Sequence, residues 1–139
     1  MGLILDTSVL IAAEKKRLDL QRFFAAHPEE TFFLAAITCS ELLHGVIRAQ
    51  PAARKQARAA FVEALLAQIE TIDFDLPVAR RHAALWAELE KKGRMIGPYD
   101  LLIAATGLHH DHALVTLNTA EFRQVPKLRL ADASGFALG

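Results

Sequence analysis

Residues 2–10, GLILDTSVL, decide the first question of fold. Gly2 to Leu5 is a compact apolar run without polar alternation, the pattern of a short strand covered on both faces. Asp6-Thr7-Ser8 ends it and reads as a helix start, with Val9 to Lys15 as the helix. A buried strand handing over directly to a helix is the opening step of an α/β chain. A carboxylate set into such an apolar stretch is costly if it is buried without a partner, so the fold must use Asp6 or let it reach water.

The same alternation continues outward from this stretch. A second helix is expected around Leu18 to Ala26, closed by His27-Pro28, and a second strand over Thr31 to Ile37. Thr38 then opens a helix through Glu41, Leu42, Leu43, Val46 and Ile47. Pro51 suits a first helical turn. From there to Ile69 the apolar residues Phe61, Leu65, Leu66 and Ile69 recur at helical spacing. Thr71 to Phe74 is a third strand. Asp75 caps a long helix with Val78, His82, Leu85, Trp86 and Leu89 on one side and Gly93 at its end. Gly97-Pro98 begins another helix over Leu101 to Leu108, Ala113 to Thr116 is a fourth strand, and Leu128 to Leu130 a fifth. Short apolar strands alternating with helices predict a three-layer α/β/α domain, with a short central parallel sheet of four or five strands spanning residues 1–139.

Bulk properties narrow the class. Apolar residues make up 53% of the 139, which excludes disorder and suggests that some surface is hidden by a partner or a twin subunit. Lys plus Arg equals Asp plus Glu at 16 each, so any attraction to nucleic acid must come from local patches. The single cysteine, Cys39, excludes an internal disulfide framework and fits a reducing compartment, where it reads as a small hydrophobe. No basic segment precedes the first apolar run, and no apolar stretch approaches membrane-spanning length. The expectation is a cytoplasmic protein with no membrane partner.

The carboxylates carry the chemistry. In open α/β sheets, sites form at the carboxyl ends of strands, where the following helices begin. Asp6 ends the first strand, Glu41 is expected in the first turn after the second, and Asp100 follows Gly97-Pro98. Glu121 follows the fourth strand, three residues after Asn118. Helix capping is the competing explanation for each: Thr38-Cys39-Ser40-Glu41 has the form of a capping box, and Asn118-Thr119-Ala120-Glu121 resembles one. Four acids at four helix starts, each against apolar sequence, point instead to one shared rim. Like charges that close destabilise a fold unless a cation lies between them. An all-oxygen donor set selects a hard ion, Mg²⁺ or alternatively Mn²⁺.

These residues carry a resemblance. DTS at 6–8, SELLHG at 40–45, IGPYDLLIAA at 96–105 and LVTLNTAEF at 114–122, followed by VPKLRL, resemble the PIN domain and more narrowly the VapC toxins of bacterial and archaeal toxin–antitoxin pairs. The similarity covers essentially the whole chain. It implies a metal-dependent endoribonuclease acting on RNA, often structured RNA such as tRNA, usually a homodimer, held inactive by a cognate antitoxin that fills the cleft. The family's acidic positions fall on Asp6, Glu41, Asp100 and Glu121. The last departs from the family, which usually has aspartate there, so Glu121 is expected to bind through water or to serve a second, weaker ion.

The resulting expectation is phosphodiester hydrolysis, with Mg²⁺ held by Asp6, Asp100 and Glu41 activating a water, and Glu41 or Glu121 orienting it. Thr7, Ser8, Thr116 and Asn118 flank the acids and are expected to hydrogen-bond them, with capping and turn chemistry as the alternative. Arg123 and the Lys91, Lys92, Arg94 group adjoin acidic motifs and are the candidates for gripping RNA phosphates; the other basic clusters, Arg54-Lys55 among them, read as solvated faces. His109-His110-Asp111-His112 falls between a helix and a strand and lacks a further zinc ligand. Trp86 and Phe61 suit core or dimer packing. An aspartate-nucleophile phosphatase would need a second aspartate at Ser8, and a receiver domain a lysine after Thr116. The remaining alternative is a non-catalytic PIN-like module that binds RNA or protein.

Overall fold

The computed structural model describes residues 2–139. Five parallel strands form one sheet: β1 (Gly2–Leu5), β2 (Thr31–Ala35), β3 (Glu70–Ile72), β4 (Ala113–Thr116) and β5 (Leu130–Asp132), in the order β3-β2-β1-β4-β5. The helices are α1 (Thr7–Glu14), α2 (Leu20–Ala26), α3 (Ala36–Arg48), α4 (Ala52–Gln68), α5 (Leu76–Lys92), α6 (Pro98–His110) and α7 (Thr119–Phe122).

The pleat divides each central strand between two cores. Leu3 and Leu5 of β1, with Ala113 and Val115 of β4, pack against Val9, Leu10, Phe23, Val62 and Leu65 from α1, α2 and α4. Ile4 and Leu114 face the other way, onto Leu85, Leu89, Leu101, Ile103, Ala105 and Phe122 from α5, α6 and α7. Helices therefore cover both faces, which is why β1 is apolar throughout and β4 is apolar from Ala113 to Val115. Burying Ile4, Leu5 and Leu114 completely contributes roughly 1.5–3 kcal/mol each before entropy is counted. At the start of β1 only glycine fits, because a Cβ on Gly2 would come within 2.6 Å of the His112 and Phe33 rings. His112 stacks on Phe33 with centroids 4.7 Å apart, so this histidine of the 109–112 cluster is a packing element. Gly93 ends α5 in the left-handed conformation at φ 65°, as a helix-stopping glycine should.

Several boundaries differ from the sequence expectation. β2 stops at Ala35 and α3 starts at Ala36, with no side-chain cap at the junction. Ala36 and Ile37 prolong the apolar run, so nothing local marks the change. Thr38 therefore does not open α3, the capping box that competed as an explanation for Glu41 is not formed, and Glu41 lies in the second turn. Pro51 sits just before α4 as its N-cap, and the buried residue of that helix omitted from the expected stripe is Val62. The fifth strand is shifted two residues, to Leu130–Asp132, by pairing Leu130, Ala131 and Asp132 with Leu114, Val115 and Thr116. Trp86 leaves the α5 core stripe and is 48% exposed.

Among the described residues, no helix is long and apolar enough to cross a membrane.

Candidate active site

The strand order reverses direction between β1 and β4, and the crevice at the carboxyl ends of these strands is where ligands bind in open α/β sheets. Asp6 stands at that point. Its N–H donates to the Val115 carbonyl at 2.8 Å, tying it to β4, and its side chain is 1% exposed. It occupies the N-cap position of α1, yet its carboxylate makes no capping bond. Instead Oδ2 accepts from Ser8 Oγ at 2.7 Å and Thr116 Oγ1 at 2.8 Å.

The donors themselves are oriented. Leu117 N–H donates to Ser8 Oγ at 3.2 Å, and Asn118 N–H to Thr116 Oγ1 at 2.8 Å. Each hydroxyl oxygen accepts from the backbone, so each hydroxyl proton is directed at Asp6. Both hydroxyl residues thus act as expected, while Asn118 contributes through its backbone and its side chain makes no cap.

Glu41 reaches the same edge from α3. The Thr7 hydroxyl donates to Glu41 Oε1 at 2.8 Å and lies 3.1 Å from the hydroxyl of Thr38, which is fully buried. Thr38, one turn before Glu41 on α3, was hidden in the sequence by its resemblance to a cap; its position at i−3 from the acid is the signal that places it here. Burial pushes the Glu41 carboxyl above its ordinary range; the Thr7 bond opposes this and the Asp6 charge adds to it.

Asp100 lies in the first turn of α6, and Glu121 in α7. Glu121 Oε1 accepts from the Gly97 N–H at 2.9 Å, which joins α7 to the residue preceding α6. Its carboxyl also hydrogen-bonds that of Asp100. Burial first, then the charges of Glu121, Asp6 and Glu41, push the Asp100 carboxyl up to about 7. Asp100 is therefore within electrostatic reach of the other three acids named from the sequence, and Glu41 within reach of Asp6.

Such a cluster repels itself, and its donors are oxygens, which suits a hard divalent ion. Among the described residues, no three His, Cys, Asp or Glu side chains are grouped tightly enough as they lie to enclose a metal. Mg²⁺ does not require such a cage, because it binds through one or two carboxylates and retains waters. Charge and donor chemistry both fit that ion.

The expected phosphate-gripping residues lie further out. Lys91, Lys92 and Arg94 are exposed around the end of α5, and Lys92 pairs with Glu88 at 2.9 Å. Arg123, also exposed, acts on Asp132. Cys39 is half-buried, with its sulfur 3.4 Å from Thr71 Oγ1.

The profile of the PIN domain family matches residues 3–128. Ribonuclease VapC1 of Rickettsia felis is 31% identical over 134 residues, covering 96% of this chain and 98% of that protein. The tRNA(fMet)-specific endonuclease VapC of Shigella flexneri is 30% identical over 131 residues, covering 94% and 97%. Among solved structures, VapBC2 of Rickettsia felis bound to a DNA fragment from its promoter superposes with a TM-score of 0.86 at 29% identity, covering 95% of this chain and 98% of that one. VapBC-5 of Mycobacterium tuberculosis, from the VapBC family of toxin–antitoxin systems, gives 0.75 at 28% identity, covering 94% and 96%. The chain belongs to the PIN-domain family, in its VapC ribonuclease branch.

Proposed function

We propose that the protein is a Mg²⁺-dependent endoribonuclease, the toxin of a toxin–antitoxin pair, that hydrolyses phosphodiester bonds in structured RNA such as tRNA. The observation that carries this reading is the convergence of Asp6, Glu41, Asp100 and Glu121 at the switch point of the sheet, with Asp100 held up to about 7 by burial and its acidic neighbours. The tRNA(fMet)-specific endonuclease named among its relatives supports the substrate class.

Asp6, Asp100 and Glu41 are the residues that would hold the metal. The chemistry such an ion would supply here is charge neutralisation at the scissile phosphate and a more acidic attacking water. Ser8 and Thr116 hold Asp6 in one orientation, and Thr7 does the same for Glu41. Glu41, half-buried and raised, accepts a proton from the attacking water. Glu121 anchors the start of α6 through Gly97 and thereby sets where Asp100 stands. An antitoxin seated over the carboxylates would silence the enzyme. A pocket of about 170 Å³ beside Glu41, lined by Ile11, Leu42, Phe61 and Val62, offers it an apolar foothold.

The test is to incubate the purified protein with total tRNA in Mg²⁺ and again in EDTA. Cleavage is expected only with the metal. Intact tRNA under both conditions, with retained binding, would favour the non-catalytic module.

A further inference from the structure

On the acid-bearing helix α3, Glu41, Gly45 and Arg48 follow one another at i, i+4 and i+7, and so share one face. The pocket beside Glu41 is bordered by Gly45 and Arg58. The same two residues border a second depression of about 360 Å³, whose other walls are Arg48, Ala49, Gln50 and Arg54. The two hollows thus form a continuous surface from the carboxylate rim to the turn between α3 and α4. Along the helix, the seven steps from Glu41 to Arg48 span about 10 Å.

Three features of this surface are unexplained by folding. Arg48 and Arg54 are exposed and, among the described residues, make no ion pair, while Arg58 is held by Glu14 and by the Gly45 carbonyl. Three guanidiniums line one hollow although the chain as a whole has no net charge. Gly45 lies inside a helix, where glycine costs about 1 kcal/mol relative to alanine. Nothing crowds it: a Cβ there would meet only Arg58 Cδ, at 3.9 Å.

We propose that the α3–α4 turn is a second RNA-binding surface, in which Arg48 and Arg54 hold backbone phosphates of the strand whose scissile bond lies at the carboxylates. The inference rests on the nuclease reading for the identity of the ligand. Guanidinium forks match phosphate oxygens in geometry and charge, whereas the carboxylate rim repels the same backbone. Positive groups set a short distance from the acids would therefore supply the attraction that the catalytic edge lacks. They would read the backbone and not the bases. This also reassigns Arg54 from a solvated face to a binding face.

The test compares the natural protein with Arg48→Gln/Arg54→Gln and Arg48→Lys/Arg54→Lys, both at exposed, unpaired positions. Binding of fluorescently labelled total tRNA is titrated in EDTA across a salt series, so that the readout does not depend on turnover. Each phosphate contact contributes a slope of about −0.7 to −0.9 in log K against log salt, so the glutamine pair should flatten the slope by about 1.4–1.8. The lysine pair should retain it. In Mg²⁺ the glutamine pair should raise KM for tRNA and leave kcat unchanged. An unaltered salt slope overturns the proposal. So does unchanged tRNA binding with weakened binding of polyglutamate, which would mark the turn as a seat for an acidic protein. A natural protein that cuts no RNA, yet shows the flattened slope in the glutamine pair, would refute the nuclease reading and leave this surface standing.

Discussion

Asp6 is held by an arrangement in which every hydrogen has an assigned direction. The backbone N–H groups of Leu117 and Asn118 donate to the hydroxyls of Ser8 and Thr116, and those hydroxyls donate to one carboxylate oxygen. Thr116→Val removes one donor and leaves the Asn118 N–H without its acceptor. Loss of such an orienting partner typically lowers metal affinity or activity about 10–100-fold, and losing a hydrogen bond to the buried Asp6 carboxylate costs about 1.5–3 kcal/mol. Both should be visible, the first in cleavage rate against Mg²⁺ concentration and the second in denaturant midpoint. Asp100 makes a different prediction. Its carboxyl titrates near 7 in the metal-free protein, above its ordinary value of 3.8. The folded state therefore binds the proton more tightly than the unfolded chain. The associated stability is complete below about pH 4 and is lost as pH rises through about 7. Metal-free protein should melt at a lower temperature at pH 8 than at pH 5, and Asp100→Asn should remove most of that difference. The same proton must leave for a metal to bind, so cleavage at fixed, limiting Mg²⁺ should rise with pH across the range around 7. A flat profile would separate Asp100 from the metal.

Between elements, the Glu121–Gly97 bond is the contact that positions one acid through another. Glu121→Gln keeps an oxygen acceptor for Gly97, whereas Glu121→Ala frees the start of α6. The alanine variant should therefore lose more activity than the glutamine variant, and most of its loss should appear as a higher Mg²⁺ concentration needed for half-maximal rate; equal losses would assign Glu121 to direct metal ligation. This contact also shows where sequence reasoning ran out. Asp6, Glu41 and Glu121 were legible because each closes or follows an apolar strand, and such positions on one parallel sheet lie at one edge, whereas Asp100 was legible only as an acid at the helix start that Gly97-Pro98 marks. What Glu121 bonds to was not legible, since Gly97 is 24 residues away and offers only a backbone N–H. Glu41 was found but misplaced by a turn, because Ala36-Ile37 extends the run of β2 without a capping residue. The shift of β5 has the same origin: register is set by pairing with β4, which no local pattern encodes.

At the scale of the whole molecule, the exposed apolar residues offer a surface on which a second copy would dock. Phe74, Leu76, Trp86, Met95 and Tyr99, all between 44% and 64% exposed, fall in the stretch from the end of β3 to the start of α6. Rings on this side contact one another, with His82 centred 5.7 Å from both Phe74 and Trp86. The homodimer implied by the family resemblance would hide this surface, so light scattering should report a dimer for the natural protein and a monomer for Trp86→Glu. A dimer in both would place the contact elsewhere. The proposed function rests on the carboxylate rim as a metal site, and calorimetric titration of Mn²⁺ into the metal-free protein tests it most directly. The account predicts saturable binding in the natural protein that is lost in Asp6→Asn and in Asp100→Asn, both still folded. Undiminished Mn²⁺ binding by those two variants would contradict it.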